Sequence, residues 1–297
     1  MVTKMETTGL GPFQVGRLAF GCWRFVGHDL PTAVSIVETA LECGMNLVDT
    51  ADVYGLDWGG EGFGAAEELL GRVLRADPAI REAMVVATKG GIVPGVPYDS
   101  SPGHLRAACE ASLRRLGVDV IDLYQIHRPD LYTHPAEVAE TLEELVSTGK
   151  VRSVGVSNYL PHQVEALQAH LDIPLVSIQP EFSVVHLDPM KDGTLDLCMR
   201  LDMTPLVWSP LGGGRVVTGD GMRTELTVTL DGIAARHGVD RSEVALAFVL
   251  AHPSRPVAIL GTQNPDRLRR SVRVFEVALT RSDLYEILEA AQGEPLP

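Results

Sequence analysis

Eight short runs rich in Val, Ile and Leu recur along the chain, spaced so that most neighbouring pairs leave room for one helix: LAFGCW (18–23), MNLVDTA (45–51), MVVATKGG (84–91), VIDLYQIHR (120–128), VRSVGVSN (151–158), VSIQP (176–180), TPLVWSPL (204–211) and VAILGT (257–262). Such nearly continuous apolar character belongs to strands covered on both faces, the condition of a parallel sheet. The intervening segments carry helix punctuation. In SPGHLRAACEASLRRLG, Ser101 is a candidate N-cap and Pro102 opens the first turn, while Leu105, Ala108, Cys109, Ser112, Leu113 and Leu116 share one face and Gly117 ends the helix. HPAEVAETLEELVSTGK repeats the scheme with Pro135, the stripe Val138, Leu142, Leu145 and Val146, and the terminal Gly149. Eight such units predict an α/β fold, a closed (β/α)8 barrel, as one domain over residues 1–297. Residues 7 to 17 read as a hairpin ahead of the first barrel strand, and residues 281–292 as an extra helix after the last unit.

A barrel enzyme keeps its chemistry at the C-terminal ends of its strands, so the polar residues that close each run are the informative ones. The second run ends at Asp49 with Tyr54 just beyond, the third at Lys89 and the fourth at His127. The fifth ends in Ser157 and Asn158, the sixth in Gln179, the seventh in Trp208 and Ser209, and the eighth in Gly261 and Thr262. Asp49 interrupts an apolar strand, where a lone carboxylate costs several kcal/mol unless it is paired. No cation lies near it in sequence, and Lys89, at the end of the neighbouring strand, is its natural partner.

A net charge of −14 argues against an electrostatic grip on nucleic acid or anionic lipid. Four widely spaced cysteines form no metal-type or CxxC interval and read as reduced core thiols. Among the nine histidines no HxH or HExxH grouping occurs, so no metal site is expected. MVTKMETTGL lacks the apolar core of a secretion signal, and no run approaches the roughly 18 apolar residues of a membrane span, so the expectation is a cytoplasmic protein, monomeric or weakly self-associating.

GMNLVDTADVYG (44–55), the lysine of ATKGG (87–91), the histidine of YQIHRPD (124–130), VGVSNY (154–159), IQPEFS (178–183) and WSPLGGGR (208–215) together resemble the aldo-keto reductase family, in order and at family spacing from about residue 15 to about residue 275. The closest resemblance is to a bacterial oxidoreductase subgroup with GxWR near its start, matched by Gly21 to Arg24. The resemblance implies the barrel already inferred and the reduction of an aldehyde or ketone, or the reverse oxidation of an alcohol, by a nicotinamide cofactor. It assigns Tyr54 as general acid, Lys89 as the group that lowers its pKa, Asp49 as the holder of Lys89, and His127 as the group that orients the substrate oxygen. A free tyrosine, with a pKa near 10, is too weak an acid near neutrality, and an adjacent ammonium favours its phenolate.

By the same resemblance Ser157, Asn158 and Gln179 would bond the cofactor carboxamide and Trp208 would stack on the nicotinamide. The backbone of Ser209, Leu211, Gly212 and Gly213 would approach the pyrophosphate. Asn264 and Pro265 start a helix whose free amides and arginines suit an anion, which favours NADP(H) over NAD(H): Arg267 is the main 2′-phosphate candidate, with Arg270 and Gln263 in support, beside Gly261 and Thr262 where the family often carries a lysine. GGEGFG (59–64) is not a GxGxxG phosphate loop; it reads as a mobile rim loop with Trp58 as a wall of the substrate pocket, beside Trp23 and Phe182. Phe25 and Tyr159 are further wall candidates, and Arg24 could meet a substrate carboxylate or stay on the surface. The partner implied is a small carbonyl compound. A cofactor-binding regulatory or sensory subunit with little turnover is the alternative function.

Overall fold

The computed structural model describes residues 4–296. Among the described residues ten strands run in chain order: β1 (Thr7–Leu10), β2 (Phe13–Gly16), β3 (Leu18–Gly21), β4 (Leu47–Asp49), β5 (Val85–Gly90), β6 (Ile121–Ile126), β7 (Val151–Ser157), β8 (Leu175–Gln179), β9 (Thr204–Val207) and β10 (Val257–Leu260). Strands β3 to β10 pair in parallel with their neighbours in sequence, and β10 returns to pair with β3, closing an eight-stranded barrel ringed by helices. The expected (β/α)8 architecture is therefore present.

The helices end where their sequence punctuation places them. Pro102–Leu116 begins behind Ser101, whose hydroxyl accepts the His104 amide, and stops at Gly117 in the left-handed region. Pro135–Ser147 starts at His134, whose Nδ1 accepts the Ala136 amide, and Arg281–Gln292 is the extra C-terminal helix. Between β9 and β10 the chain makes more helix than one unit needs. Thr224–His237 precedes Arg241–Leu250 and packs against Arg281–Gln292, forming a second apolar cluster around Leu230, Ile233, Val244, Phe248 and Ile287. No helix among the described residues is long and apolar enough to cross a membrane.

The barrel interior is layered by the two-residue period of the strands. Ala19, Leu47, Val85, Ala87, Leu123, Leu206, Val257 and Ile259 form one buried apolar cluster together with Leu10 and Val15, and Phe13 packs on it. The antiparallel β1–β2 hairpin thus plugs the N-terminal end of the barrel, pinned further where the Thr204 hydroxyl donates to the Gly9 carbonyl at 2.7 Å. Two residues on from Leu47, Ala87 and Leu123 stand Asp49, Lys89 and Gln125, so the alternation that builds the apolar floor also sets a polar layer above it. Gly155 makes space in this layer: a Cβ there would lie 2.2 Å from the Ser177 hydroxyl, next to the Gln125 side chain.

Candidate active site

Three acceptors surround the buried Lys89 ammonium: Asp49 Oδ2 at 2.7 Å, the Thr50 carbonyl at 2.8 Å and the Tyr54 hydroxyl at 3.2 Å. Each ammonium hydrogen therefore has a partner, which a fully buried lysine requires. The other Asp49 oxygen accepts Gln179 Nε2 at 2.9 Å, with Gln125 Nε2 at the outer limit of 3.5 Å. The turn that carries Tyr54 is pinned to β5 and to the following helix. The Thr50 and Asp52 amides donate to the Ala87 and Lys89 carbonyls, and the Tyr54 carbonyl accepts the Ala66 amide. The His127 ring stands edge-on to the Tyr54 ring, with centroids 5.8 Å apart.

Burial works against the Lys89 ammonium, but Asp49 and Tyr54 outweigh it and hold its pKa above the ordinary lysine value. Tyr54 departs from the sequence expectation. Burial raises its pKa and Asp49 raises it further, together exceeding the lowering by Lys89, so the phenol sits above its ordinary value. In this geometry Lys89 moderates the rise without reversing it, and Tyr54 keeps its proton at neutral pH. Burial, with Lys89 and Arg128 adding repulsion, pushes the His127 pKa well below normal, so the ring is neutral. Its Nδ1 is buried with no protein partner.

Around this cluster, Gln179 Nε2 donates to Asp49 and so braces the carboxylate from the strand end expected to reach a carboxamide. Ser157 donates to the Gln179 carbonyl at 3.0 Å. Asn158 donates to the His127 carbonyl and to Ser157 Oγ, and its Oδ1 accepts Trp208 Nε1 at 3.0 Å. The Trp208 indole is thereby fixed by its edge, half-buried, while its ring faces take no part in that bond.

The glycine segment after β9 suits a large polar ligand. Ser209, Gly212, Gly213 and Gly214 all have positive φ, and a Cβ on Gly213 or Gly214 would meet nothing within 4 Å, so backbone lies open there beside Leu211. The helix Pro265–Ser271 differs from expectation. The Asn264 side chain accepts the amides of both Asp266 and Arg267, and Asp266 adds a negative charge in the first turn, so the anticipated free amides are taken. Arg270 is ion-paired with Asp240 and with Glu243 Oε1, which removes it as phosphate support. Arg267 is exposed, and among the described residues no ion pair engages its guanidinium. Gln263 donates to the Gly21 and Gly261 carbonyls at 3.3 Å, beside Thr262, while its Oε1 is buried without a partner. These features fit a dinucleotide with its reactive ring near Trp208, its pyrophosphate along Ser209–Gly213 and its far end by Arg267.

The aromatic candidates divide. Trp23 and Trp58 are exposed, with ring centroids 5.1 Å apart and planes tilted at 44° to each other. Phe182 is fully buried and packs on Phe248 and His252 in the second apolar cluster, so it supports the barrel from outside and is not a pocket wall. Phe25 and Tyr159 are likewise core residues.

Sequence reasoning missed a second buried carboxylate group below the Tyr54 turn. Glu67, fully buried, accepts the Thr88 hydroxyl and pairs with Arg115 at 2.6 Å. Burial and then the charge of Glu67 raise the pKa of Asp52 to about 8, and its Oδ1 has no partner. Asp52 in the unfolded chain has a pKa near 3.9, so folding takes up a proton between roughly pH 4 and pH 8 and stability falls as pH rises through that window. Asp52→Asn lacks this slope. Its Tm relative to the native chain is expected to climb by about 2–4 °C per pH unit between roughly pH 5 and pH 8, following the ~1.4 kcal/mol per unit of one linked proton. Parallel melts across that range test it, and a constant offset would contradict the protonated state of Asp52.

Similarity to known proteins agrees with this geometry. The family model described as Aldo/keto reductase family matches residues 17–292. The chain is 47% identical over 286 residues to 6-dehydroglucose reductase of Novosphingobium aromaticivorans, covering 95% of this chain and 94% of the relative. It is 35% identical over 294 residues to 6-dehydroglucose reductase of Agrobacterium fabrum, covering 95% and 96%. Among solved structures, the thermostable aldo-keto reductase Tm1743, crystallised with the inhibitor epalrestat, superposes with a TM-score of 0.82 at 26% identity, covering 96% of this chain and 100% of that one. A closed eight-stranded barrel with a lysine, a carboxylate and a phenol joined at its C-terminal rim, matched along nearly its whole length, places this chain in the aldo-keto reductase family, whose members are oxidoreductases that use nicotinamide cofactors.

Proposed function

We propose that this chain is an NADPH-dependent reductase of a hydroxylated, sugar-type aldehyde, with Tyr54 as the proton donor. The observation that carries the reading is the Lys89 ammonium bonded at once to Asp49 and to the Tyr54 hydroxyl. The bound nicotinamide would supply the hydride. The carbonyl oxygen then gains negative charge and needs a proton, which the Tyr54 phenol, held above its ordinary pKa by burial, carries at neutral pH. As the proton leaves, the phenolate forms beside an ammonium that Asp49 keeps charged, so the developing charge is met without reorganisation. Neutral His127 can donate one ring N–H to the same oxygen and adds no competing charge. The substrate class rests on the two 6-dehydroglucose reductases that the chain resembles.

Oxidation of NADPH followed by absorbance, with 6-dehydroglucose and a panel of simple aldehydes and ketones, tests the proposal. Turnover on 6-dehydroglucose is the expected result. Cofactor binding with no turnover on any carbonyl compound would instead support a regulatory role. The preference for NADPH is assigned to Arg267, whose guanidinium has no ion pair among the described residues and stands by the open end of the cofactor track. Arg267→Ala is expected to weaken NADPH binding by about tenfold while NADH binding changes by less than about twofold, the loss of a charge-assisted contact to one phosphate. Titration of both nucleotides checks it, and an unchanged ratio would remove Arg267 from phosphate recognition.

A further inference from the structure

Arg24 is placed on the rim in an unusual way for this chain. It follows β3 by three residues, and the intervening Cys22 amide donates to the Asp49 carbonyl at 2.8 Å, which ties the segment to the end of β4. Gly21 pairs with Asp49, the residue that holds Lys89, so Trp23 and Arg24 leave the barrel at the strand end next to the Asp49–Lys89 pair. Trp58 arrives from the loop that starts at Tyr54 itself. The Arg24 guanidinium lies 4.3 Å from the Trp58 ring centroid and 5.6 Å from that of Trp23.

The chain has 39 acidic and 25 basic residues, and arginines 106, 115, 200, 236, 241 and 270 all pair with carboxylates. Arg24 has no ion pair and no side-chain hydrogen bond among the described residues, and its Nε is buried with no partner. Aromatic stacking engages the face of a guanidinium and leaves the in-plane N–H groups to bind something else. Stacking also fixes the side chain before a ligand arrives, which lowers the entropy lost on binding. The two indoles, 38% and 46% exposed, offer flat apolar faces beside that edge. This pairing of broad apolar faces with a fan of donors matches a pyranose ring, which has a C–H face and a rim of hydroxyl oxygens; a small carboxylate would use the donors and waste the faces.

Resting on the function proposed above, we infer that Arg24 is a specificity-determining residue, its guanidinium edge holding hydroxyl oxygens of a neutral sugar aldehyde whose C–H face lies on Trp23 and Trp58. Removing the fork therefore costs a hydroxylated substrate its orientation and costs an unsubstituted one little.

The test compares the native enzyme with Arg24→Leu and Arg24→Lys on 6-dehydroglucose, hexanal and succinic semialdehyde, with NADPH affinity and thermal melting measured on each protein. In Arg24→Leu, kcat/KM for 6-dehydroglucose is expected to fall about 10- to 100-fold, carried by KM, the scale of lost hydrogen bonds to a charged group. Hexanal is expected to change by less than about twofold, and NADPH affinity to hold. Arg24→Lys, which keeps the charge and loses the planar fork, is expected to recover only part of the loss. Equal losses on 6-dehydroglucose and hexanal, or no loss on either, overturn the inference. So does a weakened NADPH affinity, which would assign Arg24 to the cofactor, and so does a larger loss on succinic semialdehyde, which would make the subsite one for carboxylates. A native enzyme with no turnover on any of the three aldehydes would sink the reductase reading itself, whereas turnover without selective loss in the variants sinks the Arg24 assignment alone.

Discussion

Tyr54→Phe is expected to lower kcat/KM for carbonyl reduction by about 10²- to 10⁴-fold, the usual range for removing a general acid, while NADPH affinity changes by less than about twofold. The substitution deletes one oxygen from a ring that is otherwise held by backbone bonds at both ends of its turn, so the turn and its contacts survive. Lys89 loses one of three acceptors and keeps Asp49 and the Thr50 carbonyl, so the ion pair stays intact. The loss is therefore expected in kcat, with substrate binding nearly preserved. Steady-state kinetics beside a nucleotide titration separate the two quantities, and a variant that retains most of its activity would remove Tyr54 as the proton donor.

Lys89→Met carries the largest expected effect on stability. It leaves the Asp49 carboxylate in the barrel interior with two amide donors and no cation, and removing one partner of a buried pair typically costs about 3–5 kcal/mol. For a chain of this length that corresponds to a Tm lower by roughly 5–8 °C, with reduction abolished as well. Removing both charges in Asp49→Asn/Lys89→Met is expected to restore much of the stability and none of the activity, because the costly species is the uncompensated charge. Thermal melts of the single and double variants close the cycle. Losses that simply add would mean that the two groups do not depend on each other.

The barrel was legible because strands buried on both faces leave an unbroken apolar signature, and because caps such as Ser101 and Gly117 mark helix ends locally. The Asp49–Lys89 pair was legible for a related reason. A carboxylate in the middle of such a strand demands a cation, and few candidates stand at the right height. Interactions that depend on what packs across the barrel were not. Nothing local to Gln179 distinguishes an amide that braces Asp49 from one free to meet a ligand. The engagement of Arg270 by Asp240 and Glu243 depends on a helix more than twenty residues away, and the burial of Phe182 on helices that follow β9. The net rise of the Tyr54 pKa is likewise a property of enclosure, which spacing alone does not report. Asp52 and Glu67 carried a usable signal, two acidic residues flanking the Tyr54 loop, one at its start and one in the first turn of the helix that follows it, but their mutual influence exists only in the folded chain.

The plug made by Leu10, Phe13 and Val15 gives the barrel a blind end. The packed apolar floor beneath Asp49 and Lys89 leaves the C-terminal rim of the strands as the face where a cofactor and a substrate would meet Tyr54, so both would share one doorway on the side away from the hairpin.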